Sequence, residues 1–197
     1  MTKSVSVCAT VKNEGSAVDN LIADLKKQTR QPDEIVVVDG GSTDGTPERL
    51  AQGLVGLWSF SLLDYPGSNI AQGRNRAVSR SSGDLIAVTD AGLRLRSVWL
   101  ESLTEILESD CSVDVTFGYV LSRPITWFEM VLGAVTIPAE VEIDPERYPP
   151  SAGSLAFRRG FAEQAKFPEW LDFGEDMYLD LKWRDEGRHI VHVSGAD

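Results

Sequence analysis

Two apolar runs rich in β-branched residues each end directly in an aspartate, and this pairing constrains the fold of the chain most. Residues 35–38 run into Asp39 and a glycine-rich turn, and residues 85–89 run into Asp90. Short apolar runs bounded by turn residues are typical of strands buried on both faces of a parallel sheet. Ligands of open α/β sheets bind beyond the carboxyl ends of the strands. We therefore expect both carboxylates at one sheet edge, around a shared nucleotide pocket.

Strand-like and helix-like patterns alternate along the first half of the chain. The predicted strands are 4–10, 34–38, 60–63 and 85–89, and the predicted helices are 16–28, one opening at 46–48 with Thr46 as N-cap, 69–81 and 97–107. Such alternation indicates crossover connections and a mainly parallel sheet. Beyond residue 110 it weakens into strands 113–121, 154–157 and 189–193, an apolar piece at 127–135, a loop at 139–150 and a helix at 174–186.

The composition favours one cytoplasmic α/β domain. With 197 residues and 42% hydrophobic side chains, the chain can form one core without disulfides. Its net charge of −11 disfavours a nucleic-acid partner, because such binding needs lysine and arginine at the phosphates. The two cysteines lack CxxC spacing, which suits a reduced compartment. No signal peptide or membrane helix is indicated, so we expect the protein in the cytoplasm or at the cytoplasmic face of a membrane.

Five short motifs, in order along nearly the whole chain, resemble the family-2 glycosyltransferases with the GT-A fold. They are TVKNE at 10–14, VDGGSTDGT at 38–46, GRN at 73–75, TDAG at 89–92 and GED at 174–176. The resemblance implies a single GT-A, Rossmann-like domain, with a donor-binding half at 1–110 and an acceptor-binding half at 111–197. It also implies a nucleotide-sugar donor, UDP-linked by preference, and a carbohydrate, lipid-linked or small-molecule acceptor.

On the donor side, the resemblance places Thr10, Glu14, Asp39 and Gly41 around the nucleoside. The glycines allow a sharp turn and the close approach of a flat base, and Asp39 can accept hydrogen bonds from that base. The alternative is that Asp39 only caps the turn. Arg74 is expected to face the donor, since a guanidinium suits diphosphate oxygens; its alternative is a solvated helix face.

Asp90 stands where the family usually carries an Asp-x-Asp motif, and the resemblance implies a role for it at the ribose or as a ligand of Mg²⁺ or Mn²⁺ at the phosphates; the alternative is that Asp90 only caps a helix. Such ions take one or two protein oxygens, while phosphates and water supply the rest. The second aspartate, normally the direct ligand, is replaced here by Gly92. The cation must therefore rely on Asp90, recruit another residue or bind weakly. His189 and His192 point to opposite faces of a strand and cannot form a matched pair, and packing is the simpler explanation of each.

The Glu175-Asp176 pair resembles the family motif whose aspartate is the general base of an inverting transfer. A base must lie within hydrogen-bond reach of the acceptor hydroxyl. Two acids at a helix start can also simply complement the helix dipole. Trp127, Phe128 and Trp170 could stack on acceptor sugars, although core packing is the more common use of aromatic residues at helical spacing.

The sequence thus predicts an inverting, metal-dependent glycosyltransferase. One alternative is a catalytically silent nucleotide-sugar binding module, because Gly92 replaces an acid. Another is a nucleotidyltransferase, although residues 10–15 lack the glycine-rich basic loop that usually binds a triphosphate. A dehydrogenase is less favoured still, since no GxGxxG follows the first strand.

Overall fold

The computed structural model describes residues 2–121, 126–128, 130–131 and 149–196. The strands are β1 (Val5–Val11), β2 (Glu34–Asp39), β3 (Ser59–Asp64), β4 (Leu85–Asp90), β5 (Val115–Phe117), β6 (Ser154–Arg158) and β7 (Ile190–His192). The α-helices with defined bounds are α1 (Ala17–Lys26), α2 (Thr46–Leu54), α3 (Ile70–Arg80), α4 (Trp99–Ser109) and α5 (Glu175–Asp185), and residues 127–128 and 130–131 are also helical. Short 3-10 turns cover Arg159–Phe161 and Ser194–Ala196. Most of the predicted 139–150 loop lies outside the described residues.

The strands form one mixed sheet in the order β3-β2-β1-β4-β6-β5-β7. β1 to β4 are mutually parallel where they pair, β6 runs antiparallel to β4 and β5, and β7 is parallel to β5. The predicted α/β class and mainly parallel sheet are therefore confirmed. The strand order reverses beside β1, and a crevice is expected at such a switch point, beyond the tips of β1 and β4.

The register of the strands brings the two predicted acids to the same edge of the sheet. Val11 pairs with Asp39 on one side of β1, and Thr10 pairs with Asp90 on the other. Two strand spacings then separate the acids, about 10 Å. Because β6 is antiparallel, it begins at this edge, with Ser154 opposite Thr89. Residues just before β6 therefore lie beside Asp90.

Helices cover both faces of the sheet, which explains why the central strands are continuously apolar. Alternate residues of β1 enter different cores, with Val7 on the face covered by α1, α2 and α4, and Cys8 on the face of α3 and α5. Trp99 and Trp183, both fully buried, are the largest side chains of the two layers. No helix of the described ranges is long and apolar enough to cross a bilayer.

Close packing of α3 against β1 orients the helix toward the sheet edge. A Cβ at Gly73 would lie 2.6 Å from Cγ2 of Thr10, so the helix approaches the tip of β1 more closely than any side chain at position 73 would allow. The N-cap of α3 is Asn69, which forms a capping box with Gln72. These contacts place the start of α3 beside the tips of β1 and β4.

Candidate active site

A cleft of about 630 Å³ lies at the carboxyl ends of β1 and β4, and we call it the strand-tip cleft. Three of the predicted donor residues, Thr10, Glu14 and Asp90, line it. The N-terminal end of α3 supplies Asn69 and Ile70 to its wall. The switch point of the sheet thus carries a concave site of the size that a nucleotide-sugar requires.

Asp39 and Gly41 shape the turn beside this cleft. Asp39 is 5% exposed, and its carboxylate accepts a bond from the Ser42 N–H at 3.0 Å and another from the Ser42 hydroxyl. Gly41 has φ +94°, and a Cβ there would lie 3.2 Å from Pro66, so glycine is required. Among the described residues of this turn, Gly40 lines the cleft itself. Base recognition by Asp39 stays a prediction.

Two turns at the tips of β1 and β2 are tied to each other. Asn13 has a left-handed backbone (φ 55°), and its side-chain oxygen accepts from the Thr43 N–H at 2.8 Å. Asp44 accepts a bond from the Thr46 hydroxyl and another from the Thr46 N–H at 3.1 Å, and these two bonds, the first above all, lower the pKa of Asp44. The predicted N-cap is wrong by one residue: Thr46 is already helical, and the cap position is Gly45, whose φ of 84° suits glycine.

Arg74 lies behind the strand-tip cleft and is 3% exposed. One terminal nitrogen, Nη2, donates to both oxygens of Asp90 at 2.8 and 3.0 Å. The other, Nη1, donates to Oε1 of Glu175. The guanidinium also lies 5.3 Å from the ring centre of Phe167. A buried cation therefore joins the end of β4 to the start of α5.

The cleft itself is acidic, and this bears on cation binding. Burial raises the pKa of Glu14, and the neighbouring Asp90 raises it further. Within the described ranges no three acidic, histidine or cysteine side chains form a ready metal site. Asp90 nevertheless fits the single carboxylate that Mg²⁺ or Mn²⁺ needs when a diphosphate supplies other oxygens. A Cβ at Gly92 would meet no atom within 4 Å, so this position leaves open space at the rim.

A second cleft of about 450 Å³ adjoins the first and contains the predicted base. Glu175 and Asp176 line it, while Ile70 and Asp172 line both clefts. One oxygen of Asp176 accepts from the Met177 N–H at 2.8 Å. We call this the base cleft. Because Ile70 and Asp172 line both clefts, Asp90 and Asp176, which come from distant parts of the chain, lie in two adjoining clefts.

Residues 152–153 lie between the carboxylates of Asp90 and Asp176. The Ala152 N–H lies 3.5 Å from Oδ2 of Asp176, at the limit of a hydrogen bond. A Cβ at Gly153 would lie 3.3 Å from Oδ2 of Asp90 and would collide with Leu93. The small residues therefore permit a close approach of the backbone between the two carboxylates.

The sequence model of glycosyl transferase family 2 matches residues 6–153. The chain belongs to glycosyl transferase family 2. It is 31% identical to glycosyltransferase AglE of Haloferax volcanii over 121 residues, which cover 59% of this chain and 39% of that protein. The chain spans less than half the length of the curated relatives that it matches.

Solved structures establish the fold as GT-A. Mannosyltransferase PcManGT from Pyrobaculum calidifontis, in complex with GDP-Man and Mn²⁺, superposes with a TM-score of 0.73 at 19% identity, over 100% of this chain and 56% of that one. TarS of S. aureus in complex with UDP gives a TM-score of 0.69 at 19% identity, over 97% of this chain and 58% of that one. At these identities the likeness concerns the fold alone.

The aromatic and histidine candidates of this family-2 domain are not among the described residues that line the two clefts. Trp127, Phe128 and Trp170 are 77%, 74% and 72% exposed, so core packing does not describe them. Trp170 makes an edge contact with Tyr178. His192 stacks on Tyr119 at 3.9 Å between ring centres, which is the packing explanation of that histidine.

Sequence reasoning missed Asp172 and Lys12. Asp172 accepts a bond from the side chain of Asn69 at 3.3 Å and lies at the junction of the two clefts. Its loop has no periodic pattern that would have singled it out. Lys12 lines the strand-tip cleft, and its place within the TVKNE motif was the available signal.

Proposed function

We propose that this chain is the catalytic domain of an inverting glycosyltransferase that moves a sugar from a nucleotide-sugar, UDP-linked by preference, to an acceptor hydroxyl. The observation that carries the proposal is that the strand-tip cleft and the base cleft adjoin each other, with Ile70 and Asp172 lining both. A nucleoside diphosphate at the strand tips would extend its sugar toward that junction. The acceptor hydroxyl would then enter from the base cleft, next to Asp176.

The two halves of the chain have different tasks in this proposal. Residues 1–110 hold the donor, with Thr10, Glu14, Asp39 and Gly41 around the nucleoside. Residues 111–197 supply the base and the acceptor side. The acceptor is a carbohydrate, a lipid-linked sugar or a small molecule with a free hydroxyl.

Asp176 is the general base of the proposed reaction. Its carboxylate takes the proton of the acceptor hydroxyl while that oxygen forms a bond to the anomeric carbon. The bond from this carbon to the diphosphate oxygen breaks on the opposite face, and its electron pair leaves with the nucleoside diphosphate. Attack and departure on opposite faces invert the anomeric configuration. Glu175 does not contact the reacting atoms in this scheme, because Arg74 holds it.

Asp90 would hold a Mg²⁺ or Mn²⁺ ion together with the diphosphate oxygens. When bound, such an ion offsets the negative charge that develops on the leaving group. Burial and then the repulsion from Asp90 raise the pKa of Glu14, and a cation in the same cleft would relieve that repulsion. The fold shared with a Mn²⁺-containing mannosyltransferase structure supports this assignment.

A catalytically silent nucleotide-sugar binding module is the second candidate, and Gly92 favours it. A domain that lacks the second acid of the usual metal motif could bind the donor without transferring its sugar. This alternative predicts nucleotide binding without turnover for every donor and acceptor offered.

The proposal is tested by calorimetric binding of UDP and GDP with Mn²⁺, followed by transfer assays with a panel of nucleotide-sugars. Asp176→Asn should bind UDP like the wild type but lose transfer by about 10²–10⁴-fold, the usual contribution of a general base. Asparagine can still accept from the Met177 N–H, so the fold should persist. Asp185→Asn, an exposed acid at the other end of α5, is the matched control and should keep full activity. Absence of nucleotide binding in the wild type would reject the function.

A further inference from the structure

Arg74 is engaged by two carboxylates of the protein and is almost fully buried. Its two terminal nitrogens donate to Asp90 and Glu175, and its third nitrogen, Nε, is buried without a partner among the described residues. The side chain is 3% exposed, while Asp90 reaches the cleft with 32% of its side chain accessible. The guanidinium thus lies behind Asp90 as seen from the strand-tip cleft.

We infer that Arg74 is a positioning residue, which ties Asp90 on the donor side to Glu175 at the start of α5, and that it is not a ligand of the diphosphate. The inference rests on the proposed function and departs from the expectation that Arg74 faces the donor. Glu175 directly precedes Asp176, so a bond that fixes Glu175 also fixes the base. One buried cation therefore sets the position of the base relative to the donor.

Electrostatics support this assignment. Two carboxylates contact the one guanidinium, so its positive charge is already paired within the protein. Moving Arg74 toward the cleft would break a bond to Asp90 or Glu175 and leave that partner without its counterion, which is unfavourable in a buried site. The ring of Phe167 further holds the plane of the guanidinium.

Lys12 is then the cation available to the diphosphate. It is exposed, and it is the basic side chain among the described residues that line the strand-tip cleft. Its stem lies beside Gly40, at the tip of β2. A lysine ammonium on a flexible stem suits a phosphate as a point charge, whereas a locked guanidinium does not.

The reaction rate depends strongly on how precisely the reacting groups are positioned. A misplacement of about 1 Å at a reacting group can reduce the rate by about 10²-fold. The bridge from Arg74 to Glu175 spans 101 positions of sequence, so it links segments that no local structure holds together. Weakening it should reduce turnover and leave donor binding nearly unchanged.

The test compares Arg74→Lys with Lys12→Gln by calorimetry with UDP and with uridine, and by transfer kinetics. Lysine at position 74 keeps the charge but cannot bridge both carboxylates. We expect its Kd for UDP within about threefold of the wild type and its kcat reduced by about tenfold or more. Lys12→Gln should instead weaken UDP binding by about tenfold, because it removes one hydrogen bond to a charged group, and it should leave uridine binding unchanged.

Glu175→Gln provides a second variant in case Arg74→Lys does not fold. It keeps the shape of Glu175 and the pair between Arg74 and Asp90, and it should likewise lower kcat without weakening UDP. The inference is overturned if Arg74→Lys or Glu175→Gln turns over like the wild type, or if Arg74→Lys loses UDP affinity while uridine binding is retained. A wild-type protein that binds no nucleotide would instead overturn the proposed function, so the failure of the inference and the failure of the proposed function are distinguishable.

Discussion

Replacement of Gly73 by alanine tests how closely α3 must approach the tip of β1. The new Cβ would lie 2.6 Å from Cγ2 of Thr10. Unstrained carbon pairs lie about 3.5–4.0 Å apart, so helix and strand must separate by about 1 Å. Thr10 is β-branched and sits in a strand of the sheet, so its methyl group cannot swing away freely.

The expected cost follows from two opposing terms. Overpacking of this kind destabilises by about 1–3 kcal/mol, while alanine gains about 1 kcal/mol over glycine inside a helix. The net loss should be up to about 2 kcal/mol, which lowers the Tm by up to about 8 °C for a chain of this size. Because Thr10 and the start of α3 line the strand-tip cleft, UDP affinity should fall in parallel.

Gly53→Ala in α2 is the matched control. Its Cβ would also lie 2.6 Å from a neighbour, but that atom is Cδ1 of Ile22, the end of a flexible side chain. This variant should remain within about 1 kcal/mol of the wild type and bind UDP normally. Urea unfolding and calorimetry measure both quantities. If Gly73→Ala matches Gly53→Ala in stability and UDP affinity, the close approach of α3 to β1 is not needed for stability or for nucleotide binding.

Three further predictions concern acids, the metal and thiols. Because the pKa of Glu14 is raised, the native state holds the Glu14 proton more tightly than the unfolded chain, so the free energy of unfolding decreases as pH rises from the ordinary glutamate pKa toward the raised one. Urea titrations should show a smaller decrease with pH in Glu14→Gln, and an unchanged decrease would contradict this prediction. Gly92→Asp places a carboxylate in open space, so the Mn²⁺ concentration for half-maximal transfer should fall, whereas an unchanged or higher value would contradict the assignment of the metal to Asp90. Cys111 is exposed, while burial raises the pKa of Cys8 to about 12, so a thiol reagent should modify one cysteine in the native protein and two in denaturant. Rapid modification of both cysteines in the native protein would contradict the packing of β1.

Local sequence patterns located the elements well where each strand or helix carries its own signal. β2 and β4 were recognisable because their apolar runs end at Asp39 and Asp90, and the observed strands extend only to those aspartates. The start of α3 was likewise near the polar Asn69, whose side chain caps it. β5 was predicted over 113–121 but covers Val115–Phe117; Gly118, just beyond it, lies in close contact with Ala196 from the far end of the chain, which no local pattern indicates.

The site was less accessible to sequence reasoning because its connections are long-range. Asp90 and Asp176 could be named from motifs, and the register of the sheet then brings the first of them to the cleft. The engagement of Arg74 by Asp90 and Glu175 could not be read from any spacing, because helix periodicity leaves Arg74 equally free to face solvent. The position of Asp172 between two clefts depends on its bond to Asn69, which joins loops about 100 residues apart.

A crystal structure with UDP and Mn²⁺ tests the central claim most directly, since it locates the nucleotide, the ion and the base together. We expect the ion at Asp90, the diphosphate in the strand-tip cleft beside Lys12, and Arg74 still bonded to Asp90 and Glu175. The β-phosphate should point toward the junction at Asp172, with Asp176 beyond it. A nucleotide bound away from the tips of β1 and β4, or one whose β-phosphate points away from Asp176, would contradict the account.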